Sequence, residues 1–235
     1  MTKLGIIGAM QEEVETLLAR MEYKQELCKA GSRFFSGKLE GLDVVVVQCG
    51  VGKVNAAMCT QVLCDLFDVT HLVNTGIAGS LCAELDIGDL VVSRDAMYHD
   101  MDAVHFGYPF GKVPGMDVVA FPADDDMIGY AFDAAESVNP GHTRIGRVAS
   151  GDKFVADRAT KDTIITNTQG ICTEMEGAAI AQTAYRNGVP FVILRAISDK
   201  ADHSAEMDYP TFERIAAHRC AEVTCRLARQ LREAE

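Results

Sequence analysis

The sequence predicts a single α/β domain spanning residues 1–235, with a mostly parallel or mixed sheet covered by helices on both faces. Three observations lead there. Short apolar runs rich in β-branched residues alternate with segments of helical spacing. Glycines stand where strands hand over to helices. No repeat, linker or low-complexity stretch divides the chain, and 235 residues suit one large domain.

Residues 4–8 form a buried-strand pattern ended by Gly8, and 11–21 follow with apolar residues at 14, 17, 18 and 21, a helical spacing. Two strands at 33–39 and 42–49 flank Glu40-Gly41, a tight hairpin turn. Lys53–Phe67 is helical, with Val54, Met58, Val62 and Phe67 in its stripe. Strands at 72–75 and 90–93 come next, the first running into Gly76-Ile77-Ala78-Gly79. Residues 99–122 hold four aromatics without any period and read as a long loop, a feature usually tied to function or to an interface.

The second half continues the alternation: helix at 124–135, strand at 145–150, helix at 157–167, strand at 171–174. A helix at 176–186 stops at Asn187-Gly188. Residues 190–197 read as a strand and 210–231 as a long closing helix.

Composition narrows the function classes. Lys and Arg number 22 against 34 Asp and Glu, a net charge of −12 that repels phosphate backbones and anionic lipid heads. Nucleic acid and membrane are therefore not expected partners. No apolar run reaches the roughly 18 residues of a bilayer span. The opening Met-Thr-Lys-Leu-Gly leads straight into a strand and does not read as a signal peptide, so a cytoplasmic location is expected. Eight cysteines (28, 49, 59, 64, 82, 172, 220, 225) contain no C-x-x-C and no zinc spacing, and they read as buried thiols in a reducing compartment. The six histidines are scattered without an i, i+4 pair, and no metal site is expected.

In sheets of this class ligands sit beyond the carboxyl ends of the strands. Those ends carry Met10-Gln11-Glu12-Glu13, Asn74-Thr75-Gly76-Ile77, Ser150-Gly151-Asp152-Lys153-Phe154, Glu174-Met175-Glu176 and Arg195-Ala196-Ile197-Ser198-Asp199. Carboxylates recur at four of the five. Each alone has a simpler explanation, since first-turn acids complement a helix dipole and strand-end glycines serve packing. Neither G-x-G-x-x-G nor G-x-x-x-x-G-K-[ST] occurs, so dinucleotide and P-loop readings lack their fingerprints.

Together the segments are specific. GIIGAMQEEVE near the start, CGVGKVNAA, NTGIAGSL, YHDMDAVHFGY, SGDKF, EMEGAAIA and RAISDKAD follow one another along the whole chain. In these motifs the sequence resembles the 5′-methylthioadenosine/S-adenosylhomocysteine nucleosidases of the nucleoside phosphorylase superfamily. The resemblance implies a three-layer α/β/α fold with a mixed central sheet, a homodimer, no cofactor, and hydrolysis of a purine–ribose bond in methionine salvage. It makes Glu13 the residue that activates water and Asp199, supported by Ser198, the proton donor to the purine. It assigns Glu176, Met175 and Arg195 to the ribose, and Phe154 with the Val155 backbone to the adenine. Met10, Val51 and Ile77 would line the pocket, Tyr209 would close over it, and Ala103, Phe106 and Pro114 would reach it from the partner subunit.

The chemistry suits those residue types. N-glycosidic cleavage develops positive charge on the sugar, which an anionic site favours. The purine leaves with a proton from an acid kept protonated by burial, while a second carboxylate takes a proton from water. Two departures stand out. The family's small hydroxyl residue after the first glycine of its NTG motif is Ile77 here, with Ser80 replacing a following glycine. The 200–209 segment matches loosely and is expected to form a lid. A futalosine-type nucleosidase shares these motifs, and a phosphorylase would need an arginine-built anion site that Gln11-Glu12-Glu13 would oppose.

Overall fold

The structure is a computed structural model that describes residues 1–234, without the side chains of Glu206 and Met207. Ten strands and six α-helices alternate along the described residues. The run is β1 (Lys3–Gly8), α1 (Gln11–Arg20), β2 (Glu22–Lys29), β3 (Ser32–Leu39), β4 (Leu42–Gln48), α2 (Lys53–Phe67), β5 (His71–Ser80) and β6 (Leu90–Tyr98). It continues as β7 (Phe121–Pro122), α3 (Asp125–Val138), β8 (Thr143–Ser150), α4 (Arg158–Thr168), β9 (Cys172–Glu174), α5 (Gly177–Asn187), β10 (Phe191–Asp199) and α6 (Ala205–Glu233).

The sheet is mixed. Strand β5 pairs in parallel with β1 and β10, and antiparallel with β9. Strand β6 pairs antiparallel with β10 and parallel with β8, and β8 runs parallel to β9. The strands β5, β10, β6, β8 and β9 therefore close into a ring, from which β1, β4, β3 and β2 extend as an open wing. Two apolar layers cover the sheet. Val14, Leu17, Met127, Ala131 and Leu227 bring α1, α3 and α6 to one face. Ala56, Leu63, Ile180 and Ala184 bring α2 and α5 to the other. This is the expected three-layer arrangement, with burial of apolar side chains on both faces as its driving force.

Differences from the sequence reading have physical reasons. Strand β2 is exposed along its whole length and pairs only with β3, so it offers no apolar period to read. Strand β5 does not end at Thr75 but runs on through Gly76-Ile77-Ala78-Gly79. A β-carbon at Gly76 would overlap Glu13 Oε1 and Arg195 Nη1, so these glycines clear space for functional side chains rather than make a turn. The 99–122 segment is largely irregular, with a 3₁₀ turn at Val104–Phe106 and the short β7. Helix α6 starts at Ala205, and Pro210, read as its start, lies inside it.

Candidate active site

Glu13 stands in the first turn of α1 and reaches back over the helix end. Its Oε2 accepts the Ala9 and Met10 amides at 2.6 and 3.0 Å, the helix-capping role a first-turn acid can play. Its Oε1 also accepts the Ile77 amide at 3.1 Å from β5, which capping alone does not require. Burial raises the Glu13 pKa, against the opposing pull of Arg195 and the three amides. The hydroxyl missing at position 77 is thus not needed to hold Glu13, because the backbone does so. Ser80 offers no replacement, since its hydroxyl donates to the Cys82 carbonyl at 2.7 Å.

Strand β9 and the start of α5 supply Glu174, Met175 and Glu176. Glu176 Oε1 accepts the Gly52 amide at 2.7 Å, where Gly52 opens α2 with a φ of 99°, a conformation that favours glycine. Burial first, and then the neighbouring Glu174 charge, push the Glu176 carboxyl up to about 7. Arg195 projects from β10 opposite Gly76 and is buried. Its Nη2 contacts both Glu174 and Asn74 Oδ1 and lies 3.9 Å from Glu176 Oε2. Burial opposes the Arg195 charge, yet the surrounding carboxylates of Glu174, Glu13 and Glu176 more than offset this and raise its pKa.

A register shift between Ile197 and Asp199 ends β10 and sets Asp199 beside Gly79 of β5. Asp199 Oδ2 accepts the Ser198 hydroxyl at 2.9 Å and Oδ1 the Ala201 amide at 2.8 Å. Burial raises its pKa, and those two hydrogen bonds oppose the shift. Along β5, then, the Glu13 anchor and the Asp199 neighbour are two residues apart.

Glu13, Glu174, Glu176 and Asp199 border one cleft of about 580 Å³, part of it open to solvent. Met10, Val51, Ile77, Met175 and Ser198 line it as well, as do Phe154 and Val155. Tyr209 stands edge-on to Phe154, with ring centres 5.6 Å apart, and its hydroxyl lies 3.2 Å from Met10 Sδ. That contact ties α6 to the loop after β1 across the cleft mouth. Of the segment expected as a lid, Tyr209 takes this position, and the side chains of Glu206 and Met207 lie outside the described residues. Arg195 is not on the cleft wall but behind it. Phe106 and Pro114 are exposed and lie outside the lining of the chain's own cleft, whereas Ala103 is buried within its own subunit.

Sequence reasoning assigned no role to Glu174, Ser150, Asn74 or Gly52. The available signal was Glu174 itself, a charged residue in a three-residue strand with both neighbours apolar or small. Lys153 is the one basic residue among the described lining residues, and its Nζ is 2.8 Å from Thr160 Oγ1. Among the described residues no group of three or more His, Cys, Asp or Glu side chains could hold a metal ion, and no helix is long and apolar enough to cross a membrane.

Comparison with known proteins agrees with this geometry. The family model described as the phosphorylase superfamily matches residues 3–229. A 5′-methylthioadenosine/S-adenosylhomocysteine nucleosidase of Halalkalibacterium halodurans is 43% identical over 218 residues, 92% of this chain and 94% of that protein. The Neisseria meningitidis nucleosidase of that name, solved in complex with methylthio-immucillin-A, superposes with a TM-score of 0.95 at 34% identity over 98% of this chain and 100% of the other. A futalosine hydrolase of Helicobacter pylori superposes with a TM-score of 0.92 at 29% identity, covering 97% and 98%. The chain belongs to the phosphorylase superfamily and, within it, to the 5′-methylthioadenosine/S-adenosylhomocysteine nucleosidases.

Proposed function

We propose that the protein hydrolyses the N-glycosidic bond of 5′-methylthioadenosine and S-adenosylhomocysteine, releasing adenine and the corresponding thioribose. The observation that carries this reading is a cleft bordered by four buried carboxylates, Glu13, Glu174, Glu176 and Asp199, with the buried guanidinium behind it already engaged by Glu174. Such a site suits a sugar that becomes cationic as the bond to the base lengthens.

In this reading Asp199 delivers a proton to the five-membered ring of the purine as the C1′–N9 bond breaks. Its burial favours the protonated form that this step needs. Glu13 accepts a proton from the water that adds to C1′, and its three amide contacts fix the carboxylate for that role. Glu176 accepts hydrogen bonds from the ribose hydroxyls and Met175 packs on the sugar. Phe154 stacks on adenine, and the Val155 backbone reads its edge. Met10, Val51, Ile77 and Tyr209 make an apolar, polarizable pocket for the 5′ sulfur arm.

A homodimer belongs to the same proposal. Val104 and Phe106 on the 99–122 arm are 52% and 78% exposed, and Val54 and Met58 expose apolar surface on α2. Covered by a second copy, the arm would bring the exposed Phe106 and Pro114 to the partner's cleft, while Ala103, buried in its own subunit, would support the arm from behind. The eight cysteines are all free thiols, which fits a cytoplasmic enzyme of methionine salvage.

Adenine release from methylthioadenosine, measured before and after removal of phosphate, tests the reading. Equal rates with free methylthioribose as co-product are expected, and a ribose 1-phosphate product would overturn it. Running a futalosine-type substrate beside it discriminates the related activity: faster turnover of that substrate assigns the cleft to it instead.

A further inference from the structure

Glu174 borders the cleft, yet its acceptor oxygens are occupied inside the protein. Its Oε1 takes the Ser150 hydroxyl, whose oxygen accepts the Ala178 amide at 2.7 Å. Its Oε2 takes the amides of Glu176 and Gly177 at 3.1 and 2.7 Å, together with Arg195 Nη2. Asn74 Oδ1 holds the same arginine nitrogen from β5, and this nitrogen stops 3.9 Å from Glu176 Oε2. One buried guanidinium thus faces three buried carboxylates and is fastened to the one that four protein donors, its own included, already occupy.

We propose that Glu174 is a positioning residue of the sugar site, which holds Arg195 away from Glu176 and so leaves the Glu176 carboxylate open to the hydroxyls of a ribose. This rests on the ribose role given to Glu176 above. The physical reason is competition between two carboxylates for one fork. A guanidinium free to pair bidentately with Glu176 would occupy the lone pairs a diol needs. Glu174 wins because three further donors anchor it, whereas Glu176 has the single Gly52 amide. The charged and titratable groups facing Glu176 are Glu174 from β9, Arg195 from β10, Glu13 from α1 and Cys49 just beyond β4.

Glu174→Gln tests this, since the amide keeps the shape and one acceptor oxygen but removes the charge. The readout is the infrared titration of the Glu176 carboxyl, isolated by difference against the same protein carrying Glu176→Gln. Losing a like charge and gaining a nearer Arg195 should lower that titration by about one pH unit or more. KM for methylthioadenosine should rise about tenfold with kcat little changed, the pattern of lost sugar binding. A Glu176 titration that stays in place or rises overturns the proposal, as does a fall accompanied by an unchanged KM. Should Glu174→Gln not fold, Asn74→Ala removes the other acceptor on Arg195 Nη2, and a smaller downward shift is expected; no shift overturns the proposal. The titration needs no turnover, so a protein that leaves methylthioadenosine uncleaved would refute the nucleosidase reading, while a Glu176 titration that fails to fall would separately overturn the hold of Glu174 on Arg195.

Discussion

Glu13 and Ile77, 64 positions apart in the chain, meet where the Ile77 amide donates to Glu13 Oε1 at 3.1 Å. The contact fastens the first turn of α1 to the middle of the glycine-flanked stretch of β5. It also brings Glu13 to the cleft that Asp199 lines, and Gly79, the β5 neighbour of Asp199, lies two residues further along the same strand.

Separate roles for those two carboxylates predict different responses to the leaving group. Removing a positioned acid or base typically costs about 10²–10⁴ in rate, so Glu13→Gln and Asp199→Asn should both be severely impaired on methylthioadenosine. On a thioribose bearing p-nitrophenolate, which departs without a proton, Asp199→Asn should regain most of its activity. Glu13→Gln should not, because water still has to lose a proton. Steady-state rates on both substrates decide the matter, and equal rescue of both variants, or of neither, would overturn the assignment.

The exposed arm predicts a shared site. Phe106→Asp would bury an unpaired charge against a second copy, which weakens association and substrate binding together. Sedimentation equilibrium and KM check this. A variant that remains dimeric with unchanged KM shows that Phe106 has no place in the interface.

The raised Glu176 pKa predicts a stability trend. Its carboxyl titrates at about 7 in the folded protein against an ordinary 4.5, so the folded state holds the proton more tightly. Stability from this group is fully present below about pH 4.5 and is lost as pH rises through 7. Glu176→Gln, a neutral isostere, removes that loss. Tm measured between pH 4.5 and 7 should therefore favour the variant increasingly as pH rises; a gap between the two proteins that does not widen contradicts the raised pKa.

Gly52 joins backbone geometry to ligand binding. At φ 99° an alanine is strained by roughly 1–2 kcal/mol, and its β-carbon would come within 3.2 Å of Asp152 Oδ1. Gly52→Ala should lower Tm by several degrees and raise KM through a displaced Glu176, with a smaller effect on kcat. Thermal melts and kinetics measure both effects, and a KM equal to wild type would separate the Gly52 amide from sugar binding.

Local pattern alone determined the α/β class and the turn at Glu40-Gly41, because each rests on apolar patterning or turn chemistry within a few residues. The bounds of α2 were legible as well, but not its buried face: Val54 and Met58 of the expected stripe are exposed, and Ala56, Cys59 and Leu63 meet the core instead. Strand ends in this class face the ligand, which drew attention to the acids there, and the family resemblance carried by the seven motifs singled out Glu13, Glu176 and Asp199 among them. The tertiary structure decided the rest. Closure of β5, β10, β6, β8 and β9 into a ring depends on pairings between strands far apart in sequence, which no local period encodes. Strand β2 escaped notice because an edge strand exposed on both faces carries no apolar alternation. The anchoring of Arg195 by Glu174 and Asn74 was likewise invisible: a guanidinium can pair with any nearby acid, and only the packed core fixes which one it meets.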